Sequence, residues 1–87
     1  MPRIGVVAGL SMFVYSEEGG KHKEAHFHLM GGGVDVSLRL RDCQPFQGNL
    51  PRNKRKEVET YWRNHHGEIT DNYNRVQRGE PVQPIED

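Results

Sequence analysis

Three of the five histidines of this chain fall within seven residues, as His22-x-x-x-His26-x-His28. Imidazole titrates nearest to neutral pH and also ligates transition metals, so the cluster raises two chemistries, metal binding and proton transfer. On a β-strand, His26 and His28 project from one face because side chains alternate with a period of two. His22, in the preceding loop, can fold back toward them. Three imidazoles converging on one atom make a site for zinc or another transition metal, and a structural site would draw a fourth ligand from Asp35 or a distant residue. Without a metal, His26 and His28 can serve as proton-transfer groups, Asp35 can fix a tautomer, and Arg39 with Arg41 can hold a phosphate. The set His26, His28, Asp35 and Arg39 would then support metal-independent RNA cleavage. A third reading gives the histidines no chemistry: each bonds Asp35, Ser37 or the backbone and stabilises a polar sheet face.

The elements that must position these residues are strands in the first half of the chain. Ile4 to Ala8, Ser11 to Tyr15, Ala25 to Met30 and Val34 to Leu40 are rich in β-branched and aromatic residues and are punctuated by glycine. In the last of them Val34, Val36, Leu38 and Leu40 alternate with Asp35, Ser37, Arg39 and Arg41, the pattern of a strand with one buried face. Gly31-Gly32-Gly33 suits a tight hairpin, since glycine accepts the positive φ angles such a turn needs. With Gly31-Gly32 as the turn, Leu29 opposes Val34, Phe27 opposes Val36 and Ala25 opposes Leu38. The polar face then sets His28 opposite Asp35, His26 opposite Ser37 and Glu24 opposite Arg39. A slip of one residue would destroy this sorting.

Beyond a loop through Pro45, Gly48 and Asn49, the spacing becomes helical. Pro51 suits a first helical turn. Val58, Tyr61, Trp62 and His65 form an i, i+3, i+4, i+7 stripe that predicts a helix to about His65, broken by Gly67. Ile69, Tyr73 and Val76 predict a second helix from about Glu68 to Arg78, ended by Gly79, and Pro81 and Pro84 predict an extended tail. The expected layout is one domain over 1–87, with strands in 1–42, helices in 50–79 and the tail in 80–87. The expected fold class is α+β, an antiparallel sheet of three or four strands with two C-terminal helices packed on one face.

Composition narrows the function classes. Twelve basic and twelve acidic side chains cancel, which argues against a dedicated nucleic-acid binder. Arg52, Lys54, Arg55 and Lys56 could still form a local patch for nucleic acid or an acidic partner, placed where the helix dipole disfavours cations. Cys43 stands alone, so no intrachain disulfide can form, and with no base nearby in sequence it reads as inert. No apolar run reaches the roughly 20 residues that span a bilayer, and no signal-peptide pattern opens the chain, so the expectation is a cytoplasmic protein. A chain this small and only one-third apolar is expected to gain stability from a protein partner or by homodimerisation.

Several features taken in order resemble one family. They are Met1-Pro2-x-Ile4, a tyrosine before the loop, His22-x-x-x-His26-Phe27-His28-Leu29, Leu50-Pro51-Arg52, Trp62, and Gly79-Glu80-Pro81 followed by Ile85. The sequence resembles the small bacterial family catalogued as the domain of unknown function DUF4160. It departs from the family pattern at Glu24-Ala25, where members usually carry Pro-Pro, and at Tyr73, where a second tryptophan is common. The resemblance implies a gene that neighbours another small uncharacterised domain, in an arrangement like a toxin-antitoxin pair, and hence a protein partner. It brings no reaction, cofactor or catalytic residue. The expected function is therefore a component of a two-gene, toxin-antitoxin-like module acting through protein-protein contact. The alternatives are a ribonuclease using the His26/His28 pair, or a metal-binding domain on His22, His26 and His28.

Overall fold

The computed structural model describes residues 3–16 and 24–85. The chain forms β1 (Arg3–Val7), β2 (Leu10–Phe13), β3 (His26–Gly31), β4 (Val34–Arg39) and β5 (Pro45–Gln47), then α1 (Arg52–Asn64) and α2 (His66–Gln77). The strands make one sheet in the order β1-β2-β3-β4-β5, each antiparallel to its neighbour. The fold is α+β as expected, with one strand more than the sequence pattern suggested. The extra strand, β5, has only three residues and opens on Pro45, so it shows no alternation that a pattern could register. Proline lacks the ladder donor and is tolerated at the start of such an edge strand.

The β3–β4 hairpin turns at Gly32-Gly33, with φ of 51° and 86°, and not at Gly31-Gly32. Leu29 therefore pairs with Val36 and Phe27 with Leu38, while His28 pairs with Ser37, His26 with Arg39 and Asp35 with Met30. This register differs from the expected one by two residues. A shift of two leaves every side chain on its own face, so sorting by face sets only the parity of the register; the turn sets the rest.

One face of the sheet carries Leu10, Met12, Val14, Phe27, Leu29, Val36 and Leu38, which join Val58, Tyr61 and Ile69 from the helices in the core. Val34, expected in the same layer, is only partly buried. Specific bonds fix the helices there. Trp62 Nε1 donates to the Leu40 carbonyl at 2.8 Å, Lys54 Nζ donates to the Ala8 carbonyl at 2.8 Å, and Glu57 accepts the Ala8 N–H at 3.0 Å. A register shift places an extra residue, Ile4, in β1, and it is fully buried. A Cβ at the adjacent Gly5 would collide with the Tyr61 hydroxyl, so glycine lets α1 approach the strand.

The helices meet at His65, not at Gly67. His65 is at once the last cap of α1 and the first of α2, with φ −117° and ψ 21°, and Gly67 lies inside the first turn of α2. After α2 the tail runs back to the sheet. Asn72, 1% exposed, donates to the Gln83 carbonyl at 2.8 Å and accepts its N–H at 2.7 Å. Ile85 N–H then donates to the Ile4 carbonyl at 2.7 Å. Among the described residues no helix is long and apolar enough to cross a membrane.

Candidate functional site on the outer sheet face

Because the helices take one face, alternation sends the other set of side chains outward: Phe13 from β2, His26, His28 and Met30 from β3, and Asp35, Ser37 and Arg39 from β4. Phe13, His28, Ser37 and Gln47 lie in one cross-strand row. Tyr15, just beyond β2, extends this face. Its ring meets that of His28 edge-on at 4.6 Å between centroids and stacks on Phe13 at 6.1 Å. His26 and His28 lie 4.9 Å apart, and Phe46 meets His26 perpendicularly at 5.4 Å. Five rings thus run across four strands. Phe46 is 41% exposed.

Next to this row lies a shallow depression of about 630 Å³, lined by Tyr15, His28, Met30, Asp35, Ser37, Gln47 and Gly48. Gly48, with φ of 82°, lets the start of the β5–α1 loop lie against β4, where a Cβ would overlap the Asp35 carbonyl. Ser37 Oγ and His28 Nδ1 share a hydrogen bond of 3.0 Å at the floor. Burial, and then the carboxylate of Asp35, push the Tyr15 hydroxyl above its ordinary pKa.

The histidine expectations meet this geometry unevenly. His26, His28, Asp35 and Arg39 do share the outer face, but they do not form the expected constellation. His28 faces Ser37, not Asp35. His26 is 5% exposed and its Nδ1 donates to the Glu24 carbonyl at 3.0 Å, so a neutral ring carries its acceptor on Nε2. Arg39, expected to hold a phosphate, instead grips Asp42 through two bonds of 3.2 and 3.0 Å. Its companion Arg41 pairs with Glu24 at 2.8 Å. Asp42 is drawn below the ordinary carboxylate range: desolvation acts against this, but is outweighed by the bonds from Arg39 and the Gln44 N–H and by the charges of Arg39 and Arg41.

His22, the third member of the expected zinc set, lies outside the described residues. Among the described residues no three His, Cys, Asp or Glu side chains are grouped to hold a metal. The cationic run is also partly engaged within the fold. Lys54 bonds the β1–β2 turn, and Arg55 bonds Gln44 at 2.9 Å, leaving Arg52 and Lys56 as its exposed members. Cys43 is buried, and burial foremost, with Glu59 and Asp42 adding to it and Arg55 opposing, pushes its thiol up to about 12.

Sequence reasoning centred on the histidines passed over Phe13, Tyr15 and Phe46 as parts of the same surface. The alternation of Phe13 and Tyr15 against Met12 and Val14 carried that signal for two of them. Phe46 sits where the β4–β5 register shifts, and no periodicity marks it.

A family model described as Domain of unknown function (DUF4160) matches residues 9–74, which include most of the sheet, all of α1 and α2 as far as Asn74, and the chain belongs to that family. No curated protein and no solved structure matches it.

Proposed function

We propose that this member of the DUF4160 family is a binding protein that works by protein-protein contact through the outer face of its sheet, as one component of a two-gene, toxin-antitoxin-like module in the bacterial cytoplasm. The observation that carries this reading is the row of rings left uncovered by the helices, in which Phe46 is exposed and Phe13, Tyr15 and His28 are partly so. Aromatic side chains supply much contact area with little loss of conformational freedom, and they dominate the energetics of contacts between proteins. Neutral net charge fits a protein partner better than a polyphosphate chain.

A ribonuclease built on His26 and His28 draws less support. Asp35 opposes Met30 and not His28, the arginine on the face is paired, and His26 is nearly closed to solvent. The test is co-expression with the protein encoded beside it and purification through a tag on that protein. Wild type is expected to co-purify, and Phe46→Glu is expected to weaken the complex by at least about tenfold, as burying an unpaired charge in an interface does. Equal co-purification of wild type and Phe46→Glu would overturn the reading. RNA breakdown by wild type that is lost in both His26→Ala and His28→Ala would replace it with the enzymatic one.

A further inference from the structure

The depression beside Tyr15 has an unbalanced set of charges. Among the described residues its lining contains one carboxylate, Asp35, and neither lysine nor arginine. The described ion pairs use Arg39, Arg41, Arg55, His65, Arg75 and Arg78, and none uses Asp35. Asp35 is exposed, and its field is felt at the Tyr15 hydroxyl. The walls are of a particular kind: the ring of Tyr15 meets that of His28 at 74°, and the thioether of Met30 lies opposite Asp35 across the strands.

We propose that this depression receives an arginine side chain of the protein partner, its guanidinium against the Tyr15 ring and paired with Asp35. The inference rests on the contact reading above and names the chemistry that the partner brings. A guanidinium is flat, weakly hydrated and permanently charged, so it can lie on an aromatic face while its N–H groups meet a carboxylate side-on. Lysine offers a point charge without the flat surface. A phosphate-bearing ligand would meet Asp35 as a like charge, and among the described residues Arg39 and Arg41, expected to offset it, are held by Asp42 and Glu24. Gln47 and Ser37 add polar groups at the rim and floor.

The probe is N-acetyl-arginine amide, titrated into the ¹⁵N-labelled full chain, with the citrulline and lysine equivalents and guanosine monophosphate as comparisons. Saturable shifts are expected at the amides of Asp35, Ser37 and Gln47. Citrulline, the neutral isostere, should bind at least about tenfold more weakly, and so should arginine to Asp35→Asn, since the charge pair and the cation-aromatic contact are both lost or diminished. An unchanged melting temperature for Asp35→Asn would assign its loss of binding to the site. Overturning results are an absence of saturable shifts, citrulline binding as tightly as arginine, or guanosine monophosphate moving these amides when arginine does not. This failure is separable from that of the contact reading. If Phe46→Glu still breaks the complex while arginine does not bind, only the arginine site falls.

Discussion

The two faces of this sheet are built from the same strands and differ by one residue in phase, yet they do opposite things. The inner face is closed: Phe27, Leu29, Met12, Val36 and Leu38 are inaccessible to solvent and locked under α1 and α2. The outer face repeats the aromatic theme with Phe13, Tyr15 and Phe46, but mixes it with His26, His28, Ser37 and Asp35 and leaves it without a cover of helices. His26 bonds to the backbone, and His28 and Ser37 bond to each other. That arrangement keeps the surface ordered without helices over it. The comparison separates the residues that make the fold from those that give it something to do.

The sharpest way to break the comparison is to truncate one ring on each face. Phe27→Ala should cost about 3–5 kcal/mol, because it empties a fully buried site. Phe46→Ala should cost less than about 0.5 kcal/mol, as a half-exposed edge residue. Urea unfolding of the two variants decides it; similar losses would mean that the outer ring belongs to the core.

A second prediction concerns Cys43, on the closed side. Its thiol should react with a thiol reagent at pH 8 orders of magnitude more slowly in the folded chain than in urea. The sign of its effect on stability follows from linkage. The folded chain holds the proton to about 12, while the unfolded chain sheds it near the ordinary thiol value. The thiol's contribution is therefore whole below that value and is lost as pH rises from there toward 12. A denaturation midpoint of Cys43→Ala that falls as steeply as that of wild type above pH 9 would contradict this.

Asn72 tests a smaller part of the closed side. Asn72→Ala should cost about 1–3 kcal/mol by stranding the main chain of Gln83. It should also speed exchange of the Ile85 amide, which bonds Ile4. A stability loss with Ile85 protection intact would show that the tail is held by other contacts. The smallest expected effect lies on the open side: Asp35→Asn should leave the urea midpoint within about 0.5 kcal/mol of wild type, since that carboxylate makes no described ion pair.

Much of the fold was legible because alternation and helical spacing are direct records of burial. Val34 through Arg39 announced β4, and Val58, Tyr61, Trp62 and His65 announced α1. What stayed hidden was set by features without a period. Three successive glycines permit more than one hairpin turn, so the pairing of His28 with Ser37 could not be told from a pairing with Asp35. Asn72 is fully buried because of Gln83, eleven residues away, and an asparagine on a helix otherwise reads as surface. The break falls at His65, where φ is −117° and ψ 21°, and Gly67 was the stronger local signal for it. At the site, the histidines were found by their density. The rings beside them were overlooked because an aromatic residue in a strand usually means core, and the sequence does not say which face the helices will leave open.

The measurement that tests the central claim most directly is cross-saturation in the complex with the partner, irradiating the protonated partner and reading a deuterated sample of this chain. The account predicts attenuation at Phe13, Met30, Asp35, Phe46 and Gln47, on the outer face, with the exposed surface of α1 and α2 around Arg63 and Asn74 unaffected. Attenuation centred on the helices, with the outer face silent, would contradict it.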